Sequence, residues 1–290
     1  MTFTPGLDVS EYQKVINWPQ VFGAGYRFAI IKASEGMHTF DAQFETNYSG
    51  AKAAGLVVGV YHFVHPEVAA ADQLAHFLQV LGGRTPDLPI ALDHEFASND
   101  PVAVTSVITD LVTGITQHTG RKPMIYTRAS YWDPLVHGGL NWPDYDLWVA
   151  NYGASTPALP KAWQSWRFWQ YSESGQINGV PSDKVDLDWF NGTVDELKIY
   201  VQQSGGPAMT SAPPGEFPKT MYIIAAAGLN LRQQPNTSAT ILQKIPRGTK
   251  IQVEAGSAGL YVQISAPAAG WIAKGDGAGV DYISSSAPQP

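Results

Sequence analysis

Short apolar runs alternate with longer segments of helical character through the first two thirds of the chain. Six of these runs have the length of buried strands, at residues 27–34, 55–64, 88–95, 122–127, 146–152 and 166–172. Helices are predicted between them, near residues 41–54, 67–82 and 101–119. The repetition of strand, helix and strand predicts a mainly parallel sheet, and the number of strands favours a closed barrel over a Rossmann sheet. No glycine-rich phosphate loop follows the first strand, which argues against nucleotide binding.

The chain changes character after residue 202. Residues 203–219 are rich in Gly, Pro and Ser and have no hydrophobic period, so we predict a linker there. The predicted organisation is a first domain of residues 1–202, the linker 203–219, a second domain of residues 220–284 and a tail of residues 285–290.

The second domain carries a strand pattern of its own. Apolar residues alternate at Ile241, Ile245, Ile251 and Val253, and turn sequences containing Gly and Pro interrupt them. This pattern predicts a small antiparallel barrel.

Composition limits the chemistry available to the 290-residue chain. It has no cysteine, which excludes disulfides, thiolate nucleophiles and Cys-ligated zinc. The net charge of −7 argues against nucleic acid as a partner, because phosphate binding needs a basic surface. Residues 220–290 carry a net charge of +2 and the remainder −9, so the two parts differ electrostatically. No apolar window reaches the ~20 residues of a membrane span, and we predict no membrane insertion.

Two carboxylates end the third apolar run, "LPIALDHEF". Side chains alternate along a strand, so Asp93 and Glu95 are predicted to share one side while His94 points away. Their backbone positions lie roughly 6.6 Å apart at ~3.3 Å per residue, which lets the carboxyl groups reach separations used in glycoside hydrolysis. Neighbouring acids also separate each other's pKa values, leaving one protonated and the other ionised.

Polar residues follow the other apolar runs as well. In a β/α barrel the carboxyl ends of the strands form one face, where functional side chains gather. The residues placed at this face by the pattern are Asp8, Lys32, Glu35, Tyr61, His62, Asp93, Glu95, Tyr126, Asn151, Tyr152, Gln170, Tyr171 and Asp186. Lys32 and Glu35 equally fit a structural ion pair at the barrel mouth. His62 and His65 have no third ligand in a metal-binding pattern, so we predict structural histidines, no metal and no cofactor.

Seven segments occur in the order and approximate spacing of one known family: "GLDVSEYQ", "FAIIKASEG" with Asp41 after it, "AGLVVGVYHF", "LPIALDHE", "LWVANYG", "WQYS" and "KVDLDWFNG". Over about residues 5–195 the chain thereby resembles the family 25 glycoside hydrolases, the Chalaropsis-type lysozymes that cut peptidoglycan. It departs from the family at Asn17, Thr39, His94 and Asp188. Asp188 stands where Asn is frequent, adds a negative charge near the site, and puts the pH optimum in doubt.

The resemblance implies an irregular α/β barrel of the TIM type, with fewer than eight helices, and a groove lined by Asp8, Asp93, Glu95 and Asp186. We expect Glu95 to donate a proton to the leaving glycosidic oxygen and an ionised Asp93 to stabilise positive charge at the sugar carbon. Either a carboxylate or the 2-acetamido group of the substrate could act as nucleophile. The residues expected to bind substrate are Lys32, Glu35, Tyr61, Tyr126, Asn151, Tyr152, Gln170 and Asp188.

The second domain resembles bacterial SH3-like domains, which commonly anchor lytic enzymes to cell-wall peptides. We therefore expect a monomeric N-acetylmuramidase that cleaves the β-1,4 bond between N-acetylmuramic acid and N-acetylglucosamine, with bacterial peptidoglycan as its partner. A non-catalytic glycan-binding barrel and a chitinase-like glycosidase stay open as alternatives. The first residues lack the basic and apolar segments of a signal peptide. This fits a phage endolysin released through holins, or a secreted autolysin whose leader has been removed.

Overall fold

The computed structural model describes residues 3–207, 219–233, 239–258, 261–266, 270–273 and 282–284. The chain divides into two compact units, one before and one after the interval 208–218. Most of the predicted linker and the tail 285–290 lie outside the described residues. Gln203, where the predicted linker begins, is the last residue of a helix, and Lys219 begins a strand. The exact domain limits stay predictions.

The first unit is built from strands and helices in alternation. Its strands are β1 (Thr4–Val9), β2 (Phe28–Glu35), β3 (Thr39–Phe40), β4 (Val57–Phe63), β5 (Ala91–Asp93), β6 (Met124–Thr127), β7 (Leu147–Ala150), β8 (Phe168–Gly175) and β9 (Val185–Phe190). Its helices are α1 (Trp18–Gly23), α2 (Phe44–Ala53), α3 (Ala70–Leu81), α4 (Pro101–Thr119), α5 (Ala129–Leu135) and α6 (Val194–Gln203), with single 3-10 turns at Glu11–Gln13 and Trp142–Asp144. Every strand and helix predicted from the sequence is therefore present, with ends shifted by a few residues.

Eight of these strands close into a barrel in the order β1, β2, β4, β5, β6, β7, β8 and β9, and β9 pairs back onto β1. Neighbouring strands from β1 to β8 run parallel, whereas β9 is antiparallel to both of its neighbours. The short strand β3 pairs with the end of β2 only. No helix separates β7 from β8 or β8 from β9. The predicted irregular barrel is confirmed.

Local sequence signals explain the longest helix, α4. Asp100 caps its first turn by accepting hydrogen bonds from the backbone N–H groups of Val102 and Ala103, and Pro101 occupies the first helical position. Gly120 ends the helix with φ +70°, in the left-handed region that favours glycine. The apolar stripe of the helix is buried.

The inside of the barrel is filled by side chains. Phe28, Phe168 and Phe190 are fully buried and contact one another at ring-centre distances of 5.2 and 5.3 Å. Gly6 in β1 makes room for this cluster, because an added Cβ would lie 2.3 Å from the Phe28 ring. The interior is therefore a packed core, and the carboxyl ends of the parallel strands form the end of the barrel at which functional side chains are expected.

The second unit is all β in its described residues. Its strands are β10 (Lys219–Ile223), β11 (Leu229–Arg232), β12 (Ile241–Ile245), β13 (Lys250–Ala258), β14 (Tyr261–Ala266), β15 (Gly270–Ala273) and β16 (Ile283–Ser284). Every pairing between them is antiparallel, as predicted. Ile245, Ile251 and Val253 are buried in its core, whereas Ile241 lies half exposed on edge strand β12. Across the described parts of the chain, no helix has the length and apolar character needed to cross a membrane.

Candidate active site

Four predicted acids come together at one end of the barrel. Asp8 in β1 lies directly opposite Asp186 in β9, and Asp186 is influenced electrostatically by Glu95. Asp8 and Asp93, the last residue of β5, both lie close enough to Tyr61 in strand β4 to raise the pKa of its hydroxyl, after burial as the main cause. The structure therefore brings these four acids together at one end of the barrel.

The position of Asp186 differs from the prediction in one respect. It was placed at the end of an apolar run, but it is the second residue of β9. Because β9 runs antiparallel to its neighbours, its beginning lies level with the carboxyl ends of the other strands. Asp186 reaches the same rim from the opposite chain direction.

Asp93 and Glu95 differ in burial. Asp93 is buried and its Oδ1 has no hydrogen-bond partner among the described residues, whereas the Glu95 side chain is 30% exposed. Burial, followed by repulsion from Glu95, raises the pKa of Asp93 well above its usual value. Burial also raises the pKa of Glu95, while Arg128 and Lys32 act in the opposite direction.

Burial bears on two expectations about this pair. The proton affinity of Glu95 is raised chiefly by desolvation and only secondarily by neighbouring acids. Burial opposes ionisation of Asp93, since loss of water penalises the charged form, and an ionised Asp93 stays a prediction. Repulsion between the two neighbouring carboxyl groups disfavours the state in which both are ionised.

Gln170 connects both sides of the rim. Its Oε1 accepts hydrogen bonds from the hydroxyls of Tyr126 and Tyr152, each at 2.7 Å. Its Nε2 donates to Asp8 Oδ2 at 2.7 Å. The Tyr126 hydroxyl also lies close to Glu95 and lowers the pKa of that carboxyl. Gln170 thus links Tyr126 and Tyr152 to Asp8 across the barrel through hydrogen bonds.

Asp188 lies deeper than Asp186 on the same face of β9. It is fully buried, and its Oδ1 accepts a hydrogen bond from the Trp148 indole N–H at 2.7 Å. Burial and then repulsion from Asp186 raise its pKa to about 8. Its depth makes it a neighbour of Asp8 and sets it back from the rim where a substrate would bind.

A cluster of paired basic and acidic side chains borders the four acids on the side of β2. Lys32 Nζ donates to Glu35 Oε2 at 2.6 Å, and Glu35 Oε1 lies 2.9 Å from His65 Nε2. His65 Nδ1 lies 2.9 Å from Glu67 Oε1. Burial favours the neutral form of Glu35, but its hydrogen bonds with Lys32 and His65 hold its pKa below the usual value. Lys32 and Glu35 form the predicted ion pair, at the mouth of the barrel.

The remaining predicted residues divide between the rim and its surroundings. Tyr61 is buried beside Trp148, and Tyr152 is half-buried next to Gln170. Asn151 uses its side-chain oxygen to accept the N–H of Ala158, so its described contact organises a loop instead of the acid cluster. Substrate binding by these residues stays a prediction.

Two histidines near the site, His62 and His94, are buried. His62 contacts Ser34 Oγ at 2.9 Å and Gln73 Oε1 at 3.3 Å, and burial lowers its pKa to about 4. His94 points away from the acids against Trp132, and it is completely buried where partial burial was expected. Burial lowers its pKa to about 4 as well. Among the described residues, no three His, Cys, Asp or Glu side chains are grouped to hold a metal ion.

Sequence reasoning missed Arg128. It follows β6 directly, its Nη2 lies 3.6 Å from Glu95 Oε2, and its guanidinium sits 5.3 Å from the centre of the Tyr152 ring. The alternation that pairs Asp93 with Glu95 also places Arg128 on the side of Tyr126, so the signal was present in "IYTR". Trp148 was also missed, because nothing in the sequence distinguishes it from the other core tryptophans.

Known protein families match both parts of the chain. The family model "Glycosyl hydrolases family 25" matches residues 7–180, and "Bacterial SH3 domain" matches residues 227–277. The chain is 37% identical over 207 residues to "Lysozyme M1" of Streptomyces globisporus, a match that covers 66% of this chain and 69% of that protein. It is 32% identical over 209 residues to the "N,O-diacetylmuramidase" of Chalaropsis sp, covering 67% of this chain and 96% of the relative.

Solved structures agree with these relatives. The bacterial lysozyme from Streptomyces coelicolor superposes with a TM-score of 0.65 at 34% identity, covering 70% of this chain and 99% of that one. The CTP1L endolysin superposes with a TM-score of 0.59 at 28% identity, covering 69% of this chain and 70% of that one.

Proposed function

The chain belongs to the glycosyl hydrolases family 25, and from that membership we propose that it cleaves the β-1,4 bond between N-acetylmuramic acid and N-acetylglucosamine. It is a glycoside hydrolase, a lysozyme that hydrolyses peptidoglycan. The observation that carries the finer assignment is the placement of Asp93 and Glu95 at the same barrel rim as Asp8 and Asp186.

Glu95 is the proposed proton donor to the leaving glycosidic oxygen. It is the more exposed member of the pair and therefore the one that substrate can reach. Burial raises its pKa, which favours the protonated form that a general acid needs. Contact with Arg128 stabilises the carboxylate that remains after the proton has left.

Asp93 is the proposed stabiliser of positive charge at the sugar carbon. The scheme requires the single proton of the pair to lie on Glu95 when substrate is bound, which leaves Asp93 as the ionised member. Transfer of the proton to the substrate then leaves negative charge next to the developing oxocarbenium ion, where the buried surroundings strengthen the attraction. Asp8 and Asp186 contribute further carboxyl groups on the facing strands. Either the 2-acetamido group or a carboxylate serves as nucleophile in this scheme.

The second unit is the proposed wall anchor. Its match to the bacterial SH3 domain supports cell-wall targeting. We assign the second unit to the binding of wall components other than the glycan that is cleaved. The bacterial cell wall is then the place of action. The net charge of +2 over residues 220–290 favours anionic polymers to a small degree that salt would screen.

Digestion of purified cell walls tests this function. Turbidity should fall, and mass analysis of the released fragments should find muramic acid at their reducing ends. Reducing-end N-acetylglucosamine would instead indicate a chitinase-like specificity, and wall binding without turbidity loss would indicate a non-catalytic barrel. Glu95→Gln is the control: clearing should be abolished while circular dichroism and thermal unfolding match the native protein. Retained clearing would refute the role of Glu95.

A further inference from the structure

Two buried carboxyl groups meet inside the barrel below the rim. Asp8 and Asp188 are both nearly or fully inaccessible to solvent. They lie on the same face of paired strands, since Asp8 is opposite Asp186 and Asp188 is the next residue along β9 that points the same way. The two carboxyl groups are within hydrogen-bonding reach of each other.

The donors around this pair are too few for two carboxylates. Asp8 Oδ2 accepts from Gln170 Nε2, and Asp188 Oδ1 accepts from Trp148 Nε1. Asp188 Oδ2 is buried without any hydrogen-bond partner among the described residues. A buried carboxylate oxygen without a donor carries a large desolvation cost, and a proton placed between the two carboxyl groups removes it.

We propose that Asp8 and Asp188 share one proton, and that Asp188 is a positioning residue which holds the Asp8 carboxyl toward the groove. This inference rests on the proposed function for its catalytic meaning, although the shared proton can be measured without it. Asp188 itself lies too deep to contact a substrate. Its effect on the reaction passes through Asp8.

The charged and titratable groups facing this pair support a shared proton. Asp186 on β9 raises the pKa of both carboxyl groups, after burial as the main cause. Tyr61 on β4 and Trp148 on β7 are neutral neighbours. Lys32 on β2 and Arg128 after β6 lower the pKa values of Asp93 and Glu95. Neither is among the main groups that shift the pKa of Asp8 or Asp188.

Substituting Asp188 by Asn tests the shared proton directly. An amide keeps the shape of the side chain, still accepts from Trp148, and offers a permanent N–H to Asp8. Carboxyl ¹³C NMR of aspartate-labelled protein should place Asp8 and Asp188 in one joint titration in the native chain. In Asp188→Asn, the Asp8 signal should titrate at a lower pH, because a like charge has been replaced by a donor. An unmoved Asp8 titration would overturn the proposal.

Activity supplies the second measurement. Burial raises the pKa of both carboxyl groups, that of Asp188 to about 8, so alkaline pH removes the shared proton and two adjacent carboxylates then repel each other. The ratio of variant to native kcat/KM should therefore be about tenfold higher at pH 9 than at pH 6. Asp195→Asn, which removes an exposed charge on α6, should leave that ratio constant. A constant ratio for Asp188→Asn would contradict the positioning role.

The two readouts separate this inference from the proposed function. If the native protein fails to clear any wall while NMR finds the joint titration, the lysozyme assignment fails and the shared proton stands. If walls are cleared and the two aspartates titrate independently, the lysozyme assignment stands and the shared proton is refuted. Thermal unfolding of Asp188→Asn, followed at pH 6, checks that the variant is folded for both measurements.

Discussion

Arg128 Nη2 lies 3.6 Å from Glu95 Oε2, at the point where β6 ends and α5 begins. The guanidinium is held between the rings of Tyr131 and Tyr152, with centres at 5.5 and 5.3 Å. This arrangement keeps a positive charge beside the proposed proton donor. Arg128 thereby opposes the effect of burial on the Glu95 pKa.

Replacing Arg128 by Gln should raise the pKa of Glu95. A general acid with a higher pKa stays protonated to higher pH, so the basic limb of the kcat/KM profile should move upward. Because both side chains are about a third exposed, we expect a shift of about half a pH unit. Lys198→Gln removes a lysine from an exposed pair on α6 and should leave the limb in place. A downward shift for Arg128→Gln would contradict this electrostatic role.

Replacing Gln170 by Glu removes the N–H donor to Asp8. The new carboxyl group can still accept from Tyr126 and Tyr152, but in its ionised form it has no hydrogen to donate and it repels the Asp8 carboxyl group. We expect kcat/KM on cell walls to fall about tenfold or more, since a hydrogen bond to a charged group contributes about 1.5–3 kcal/mol. Tyr152→Phe, which leaves the bond to Asp8 intact, should cost less. Equal losses for the two variants would show that the bond to Asp8 has no special role.

Acid should destabilise the native protein through its buried histidines. The pKa of His94 is about 4 in the folded state, below its usual 6.5, so the unfolded chain binds the proton more tightly. Stability is therefore lost as the pH falls from about 6.5 through about 4, on the order of 3 kcal/mol for this residue.

Substitution of His94 by Leu should flatten that dependence. Chemical denaturation at pH 7, 5 and 4 should find a smaller loss of unfolding free energy in the variant than in the native chain. His62, whose pKa is also about 4, stays in place, so some acid sensitivity should remain. Exposed His38→Gln is the matched control. An unchanged slope for His94→Leu would mean that His94 is not neutral in the folded state.

A chain ended after residue 207 should separate cleavage from anchoring. The first unit has its own closed barrel and core, so the shortened chain should fold. On soluble glycan fragments its kcat/KM should equal that of the full chain. On intact walls at low enzyme concentration it should be about tenfold or more slower, because the second binding contact is lost. Equal rates on walls would argue against anchoring by the second unit.

Alternation along strands made much of this site readable from sequence. The local period of two placed Asp93 and Glu95 on one side and His94 on the other, and the order of strands and helices predicted the barrel. The same rule places Arg128 on the side of Tyr126. A single basic residue after a short strand has no partner nearby in sequence, however, so its part in the site could not be predicted. Asp188 was recognised as an additional charge, but its burial and its contact with Trp148 were not.

The sequence by itself determined which side chains share a strand face, because that property depends only on the backbone geometry of neighbouring residues. Tertiary structure decided which faces meet. Barrel closure pairs Asp8 with Asp186, although the two residues lie near opposite ends of the first unit in sequence. The strand that closes the barrel, β9, runs antiparallel to β1. Closure also removes water from Asp8, Asp93 and Asp188, and this desolvation sets their proton affinities. No local pattern encodes that, since the energy of a buried charge depends on everything packed around it.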